Sequence, residues 1–310
     1  VLADRERFLM QHNLDLLALK IGGERGDLIV GRQVFSWGSG RLWNPTDLLS
    51  PFAPTDIDRE VRRGIDAVRA SVPLGATAQA DILWLPQQLA RDNGGLARAR
   101  FNVAGFDISP SVAKYVRDMV YGLDAGGDIG PVGLHAEAAL TDALDVDERF
   151  VRAVAGVSLQ PTSELFITGE YYFNGWGTTE PENYLTILQS PRVARGEVFG
   201  AGRHYFGLVA AWQATGLLSI QGIAITNLTD PSMQFVPALE YWAAQSVLVR
   251  FGGYIPLGRK PDPAGLKALT IEDVLGQSDV FRREVRSMGL RSEYGASPLG
   301  VFTQLSVYFL

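Results

Sequence analysis

Six arginines and four carboxylates stand at alternate positions of segments that otherwise swap apolar and polar residues. The arginines are Arg32, Arg69, Arg98, Arg100, Arg152 and Arg250, and the carboxylates are Asp81, Glu137, Glu170 and Glu240. A period of two puts such side chains on one face of a strand. Fixed charges gathered on one face of a sheet can sort ions by sign. The same groups can instead pair across neighbouring strands, which stiffens a sheet and selects nothing. Both readings stay open on the residues alone.

Other chemistry is sparser. His12, His135 and His204 are scattered and cysteine is absent, so no zinc site is expected. Asp145, Asp147 and Glu148 could hold Ca²⁺ in a loop, though a solvated acidic loop is the simpler reading. Gly23–Asp27 (GERGD) has the composition of a hairpin turn, and there is neither a phosphate loop nor a GxSxG elbow. No nucleophile–base set stands out. The chain is expected to be no enzyme and to carry no cofactor. A net charge of −6 argues against nucleic acid.

The elements that must position these charges are strands. Fifteen candidates are legible: 9–22, 27–37, 64–74, 79–87, 97–104, 107–115, 118–125, 131–141, 149–160, 164–174, 203–214, 217–228, 232–243, 246–256 and 299–309. In 149–160, Val151, Ala153, Ala155, Val157 and Leu159 oppose Arg152, Ser158 and Gln160. In 299–309, Val301, Thr303, Leu305, Val307 and Phe309 oppose Phe302, Gln304, Ser306 and Tyr308. No run of roughly 18 apolar residues exists, which excludes a helical membrane span but not a barrel, whose apolar residues are spread over alternate positions. The 34 glycines and 25 Phe plus Tyr suit tight turns and aromatic girdles.

The connections support the same picture. Counting back from the last strand, the three long ones, 38–63, 175–202 and 257–298, all fall at one end, where membrane barrels carry external loops. Within 257–298, Thr270–Met288 has a helical pattern, and Ile57–Arg63 could form a second short helix. Residues 1–310 are expected to be one domain. A closed antiparallel barrel of this type needs an even count, so sixteen strands are expected, with an N-terminal strand missing from the fifteen seen. Fourteen is the alternative.

The densest motif is Gly31–Asp47, GRQVFSWGSGRLWNPTD, followed by RGIDAVR at Arg63–Arg69. Together with GEYYFNGWG (Gly169–Gly177) and SEYGASPLG before the last strand, it resembles a group of Gram-negative outer-membrane porin-like proteins. More distantly it is similar to substrate-selective porins and polysaccharide-export barrels. One departure is Leu310 after Phe309, where such chains usually end on the aromatic residue. The resemblance implies an outer-membrane barrel that passes small hydrophilic solutes. Its surroundings would be lipid and lipopolysaccharide, with homo-oligomers open. A lumen wider than side chains can fill suits a diffusion channel. An export or assembly barrel with periplasmic partners is the alternative, and a barrel enzyme a weaker one. Within Gly31–Asp47, Trp37, Arg41, Trp43, Asn44 and Asp47 are the candidates for a loop that folds inward and narrows the pore. The plainer reading is a packed loop that seals the mouth.

Overall fold

The computed structural model describes residues 3–5, 8–10, 16–57, 62, 64–86, 93–144, 148–262 and 289–308. The expected helix Thr270–Met288, most of Ile57–Arg63, and His12, Asp145, Asp147 and Phe309 lie outside them.

Fifteen strands form one sheet in chain order. They are β3 (Leu17–Gly23), β4 (Gly26–Gln33), β5 (Ile65–Pro73), β6 (Ala78–Leu85) and β7 (Gly94–Val103). Next come β8 (Phe106–Tyr115), β9 (Asp118–Ile129), β10 (Val132–Ala143), β11 (Glu148–Leu159) and β12 (Leu165–Asn174). The last are β13 (His204–Gln213), β14 (Leu218–Asn227), β15 (Ser232–Ala244), β16 (Val247–Leu257) and β17 (Gly300–Val307). A separate short ladder joins β1 (Ala3–Arg5) to β2 (Phe8–Met10). Every expected strand therefore has a counterpart. The first, expected from residue 9, begins at Leu17. The turn expected at 126–130 shrinks to Gly130–Pro131, because β9 runs on to Ile129.

Neighbouring strands pair antiparallel throughout, so the connections alternate between two ends. The long ones, 34–64, 175–203 and 258–299, all lie at one end. Turns at the other end are short. At Ala104–Gly105 both residues have positive φ (52° and 87°), the primed turn that matches strand twist.

The two faces of the sheet differ sharply. The outer face exposes Leu19, Val30, Ile82, Leu123, Val157, Leu208, Leu239, Phe251 and Leu305. Contiguous apolar surface on this scale is not left in water by soluble proteins. The inner face is polar near the short turns but apolar nearer the long connections. There Leu83, Leu85, Leu96, Val120, Val154, Ile223, Ile225 and Val236 are buried. They are buried because the sheet wraps around the 34–64 connection. Among the described residues no ladder joins β3 to β17. These end strands run in the same direction, so an antiparallel closure needs one more strand between them.

Candidate functional site

The 34–64 connection runs into the lumen and packs there as a core. Phe35, Trp37 and Leu48 lie against Ala67, Leu83, Leu85, Leu96, Ala113, Val120 and Ala139, from β5 to β10. Leu42 and Trp43 lie against Val154, Tyr172, Tyr205, Ile223, Ile225 and Val236, from β11 to β15. Trp43 stacks on Tyr172 with ring centroids 5.1 Å apart and 10° between planes. Each such side chain contributes about 1.5–3 kcal/mol by leaving water, so the loop is seated by the force that builds a globular interior.

Two wall carboxylates fix it in register. On β10, Glu137 accepts the N–H of Ser39 at 2.9 Å, the N–H of Thr46 at 2.8 Å and the Thr46 hydroxyl at 3.0 Å. On β12, Glu170 accepts the N–H groups of Arg41, Leu42 (3.0 Å) and Trp43 (3.2 Å), and meets His135 Nε2 at 2.7 Å. A tight loop cannot satisfy its own N–H groups, and the carboxyl oxygens of the wall supply the acceptors. The wall is also cut away to admit the loop. A Cβ on Gly207 would lie 2.2 Å from Leu42 Cδ1. One on Gly156 would lie 2.3 Å from His135 Nε2, so that glycine makes room for the imidazole that meets Glu170.

The expected pore-lining charges separate into four groups. Arg69 pairs with Asp81 at 2.7 Å, Arg98 with Asp124 at 3.1 Å, and Arg250 with Glu240 at 2.8 Å, all on the inner face. Glu137 and Glu170 face inward but are covered by the loop (2% and 0% exposed) rather than lining an open path. Arg152 also faces inward and is covered, by the 175–203 connection. It donates to the Glu197 carbonyl, and the Glu197 carboxylate is held by Arg192 at 2.9 Å and Arg195 at 2.9 Å. Arg32 is corrected outright. It shares the outer face with Leu28 and Val30 and pairs with Asp66 at 2.7 Å at the long-loop end of the strand. There a charge can face outward beyond the apolar zone. Arg100 alone of the nine lines open space with no described carboxylate in an ion pair with it.

The loop residues also divide. Trp37 and Trp43 are core residues of the plug. Asn44 lines the cavity, and its carbonyl accepts the Asp47 N–H at 3.1 Å. Asp47 is buried, pairs with Arg62 at 2.7 Å and accepts the Ser50 N–H at 3.3 Å. Burial pushes its carboxyl above the usual range, with Arg62 opposing the shift. Arg41 lies over the Phe166 ring, 5.9 Å from its centroid.

Between the plug and the short turns is a cavity of about 1240 Å³. Its charged wall includes Arg41, Arg98, Arg100, Asp107, Asp124 and Asp128, with His135 beside them. A second, smaller cavity of about 170 Å³ flanks the loop along β12–β14.

A third carboxylate ties the long-connection end together. Glu293 accepts the Ala201 N–H at 2.7 Å, the Tyr205 hydroxyl at 2.6 Å and Asn227 Nδ2 at 2.7 Å, while its own N–H donates to Asp230 at 2.6 Å. Burial raises its pKa, and the Tyr205 hydrogen bond offsets only part of that. A raised carboxyl stabilises the fold fully below its unfolded pKa, and that contribution is lost as pH rises through the folded value. The wild type should therefore lose stability, relative to Glu293→Gln, across a window starting at the ordinary carboxylate range and running upward. Melting of both proteins in detergent across that window checks this, and parallel curves would contradict it.

Sequence reasoning missed Phe166, Glu197, Glu293 and the two glycines. The glycines left a trace, since Gly156 and Gly207 interrupt the side-chain pattern of otherwise regular strands.

Comparison with known proteins supports the fold. No family model matches the chain, and no curated protein matches it. Among solved structures, it is similar to Pseudomonas aeruginosa OccK11 (OpdR), with 12% identity, 78% of this chain and 75% of that one covered, and a TM-score of 0.54. OccK10 (OpdN) of the same organism gives 10% identity, 94% and 82% coverage, and 0.54. OccK3 (OpdO), also from P. aeruginosa, gives 10%, 77% and 73%, and 0.50. The chain therefore has the all-β antiparallel fold of these structures.

Proposed function

We propose that this protein is a channel of the Gram-negative outer membrane that lets small hydrophilic solutes diffuse inward. One further strand between β3 and β17 would close the wall as an antiparallel barrel of sixteen. The observation that carries the reading is the combination of an apolar outer face with a cavity of about 1240 Å³ on the inner one. Buried loops narrow that lumen without filling it. The fold of the P. aeruginosa OccK structures supports it.

The mechanism needs no motion and no chemistry. Solutes enter along their own gradient, and the inserted loop sets the size limit. The protein is expected in the outer-membrane fraction, with faster gel migration before boiling than after. Planar-bilayer recording should show discrete conductance steps. Recovery as a soluble monomer without detergent would contradict the reading.

Charge sorting should be weak. Arg98 and Arg152, expected from the sequence to attract anions, are paired or covered, which leaves Arg100 as the exposed wall cation of that set. Its field reaches about one Debye length, roughly 10 Å at 0.1 M salt, where Asp107 and Asp128 oppose it. Arg100→Ala should remove most of any anion preference in reversal potentials across a salt gradient, whereas Arg98→Ala should destabilise the wall by stranding Asp124. An unchanged preference in Arg100→Ala would place the selecting charge elsewhere.

A further inference from the structure

His135 on β10 and Glu170 on β12 stand on either side of β11, and both face Gly156 in the register of the sheet. With no side chain between them, imidazole and carboxylate meet over the β11 backbone, Nε2 to Oε1 at 2.7 Å. A Cβ at Gly156 would lie 2.3 Å from His135 Nε2 and 2.7 Å from Glu170 Cγ, so the bridge requires glycine there. The cross-strand neighbour of His135 on β9 is also a glycine, Gly126. Glu170 Oε1 accepts the Arg41 N–H as well, so the imidazole and the inserted loop share one oxygen. The two side chains are 7% and 0% exposed, yet His135 lines the large cavity, the vestibule. The imidazole thus touches the loop's anchor on one side and the vestibule's water on the other.

We propose that His135 is a positioning residue for the 34–64 connection, acting through Glu170, and that its protonation tightens the loop's seat, so that acid narrows the channel. The inference rests on the channel reading. Histidine is the side chain that ordinarily changes charge between about pH 5 and 8. Among the described residues, no arginine or lysine is in an ion pair with Glu170, and His135 is the one basic side chain against it. The other charged groups facing His135 are already engaged. Asp124 on β9 pairs with Arg98 of β7, and Glu137 on β10 accepts the N–H groups of Ser39 and Thr46. Arg41, on the loop, lies over Phe166, while β11 offers Gly156 and Ser158. Seating the loop withdraws Glu170 from water, where a carboxylate without a cation is costly to bury. An imidazolium makes the covered pair neutral and its hydrogen bond charge-assisted. Covering the pair therefore favours the protonated imidazole, and by linkage acid favours the covered state. Protonation of Glu137 or Glu170 acts with the opposite sign, because it weakens an acceptor of the loop's N–H groups. The direction of the pH response therefore tells the imidazole from the carboxyls.

The test is single-channel current in planar bilayers across about pH 5 to 8. The wild type should spend severalfold more time at high conductance at the alkaline end than at the acid end. His135→Gln offers Glu170 an N–H but takes up no proton, and should keep the wild type's alkaline behaviour at every pH. His135→Lys holds a cation there across the whole range and should keep the acid behaviour. Glu137→Gln should retain the pH response. Unboiled gel mobility checks that each variant is folded. A wild type indifferent to pH, a wild type that opens with acid, or a response that survives in His135→Gln would overturn the role of His135 while leaving the channel intact. Absence of conductance in every form would overturn the channel reading, and this inference with it.

Discussion

Glu170→Ala is expected to raise single-channel conductance severalfold. The substitution removes the acceptor for three consecutive backbone N–H groups at Arg41, Leu42 and Trp43. Each buried donor left unpaired costs about 1–3 kcal/mol, so the loop tip loses several kcal/mol of anchoring. Burial of Leu42 and Trp43 opposes release by a similar amount, and the loop should then sample a displaced state rather than leave altogether. Noisy current with long high-conductance openings is the expected signature. Glu170→Gln keeps one acceptor oxygen and should fall between. His135→Ala tests the imidazole alone. It leaves the N–H bonds in place, so its effect should be small beside that of Glu170→Ala. Conductance unchanged in Glu170→Ala would show that the loop does not set the limit.

A charge on the outer face should destabilise the barrel far more than the same charge on the inner face. Val157 and Ser158 are neighbours in sequence on opposite faces of β11. Val157 is 45% exposed on the outer face, while Ser158 lines the vestibule and bonds to Thr168 at 2.9 Å. An outward arginine costs roughly 2–4 kcal/mol at the bilayer midplane, falling toward the interfaces. Val157→Arg should therefore cost about 2 kcal/mol in lipid-based unfolding. Ser158→Arg should cost less, since its head group reaches water in the vestibule. Equal losses would show that the face assignment is wrong.

The strands were legible because their pattern is local. Alternation in Val132–Ala143 or Glu148–Leu159 is written within a dozen residues, and one buried face fixes the register. The single end for the long connections followed from the same count. What the sequence could not display was the interior of the barrel. Glu137 and Glu170 were placed on the correct face, but their partners are backbone N–H groups about 90–130 residues away. Nothing about a backbone donor is visible in residue type. Leu83, Leu85 and Leu96 point inward against the expectation of a wet lumen, because a loop core needs an apolar seat. In Ile82–Leu85 both faces are apolar, and that broken alternation was the available hint. Arg32 was misplaced by the rule that charges face the lumen, which fails where a strand emerges beyond the apolar zone. Of the loop candidates, Trp37 and Trp43 serve packing, the plainer alternative, while Arg41 alone among them stands between two cavities.

The central claim is that the 34–64 connection lies inside the barrel and sets its aperture, and the chain's lack of cysteine gives a direct test. A Cβ at Gly126 would sit 3.5 Å from Ser39 Cβ, at the near edge of disulfide geometry. Ser39→Cys combined with Gly126→Cys should cross-link under mild oxidation, and the oxidised channel should keep wild-type conductance before and after reduction. Failure to cross-link, or a cross-link that changes the conductance, would mean that the working loop is not seated on β9, contradicting the account.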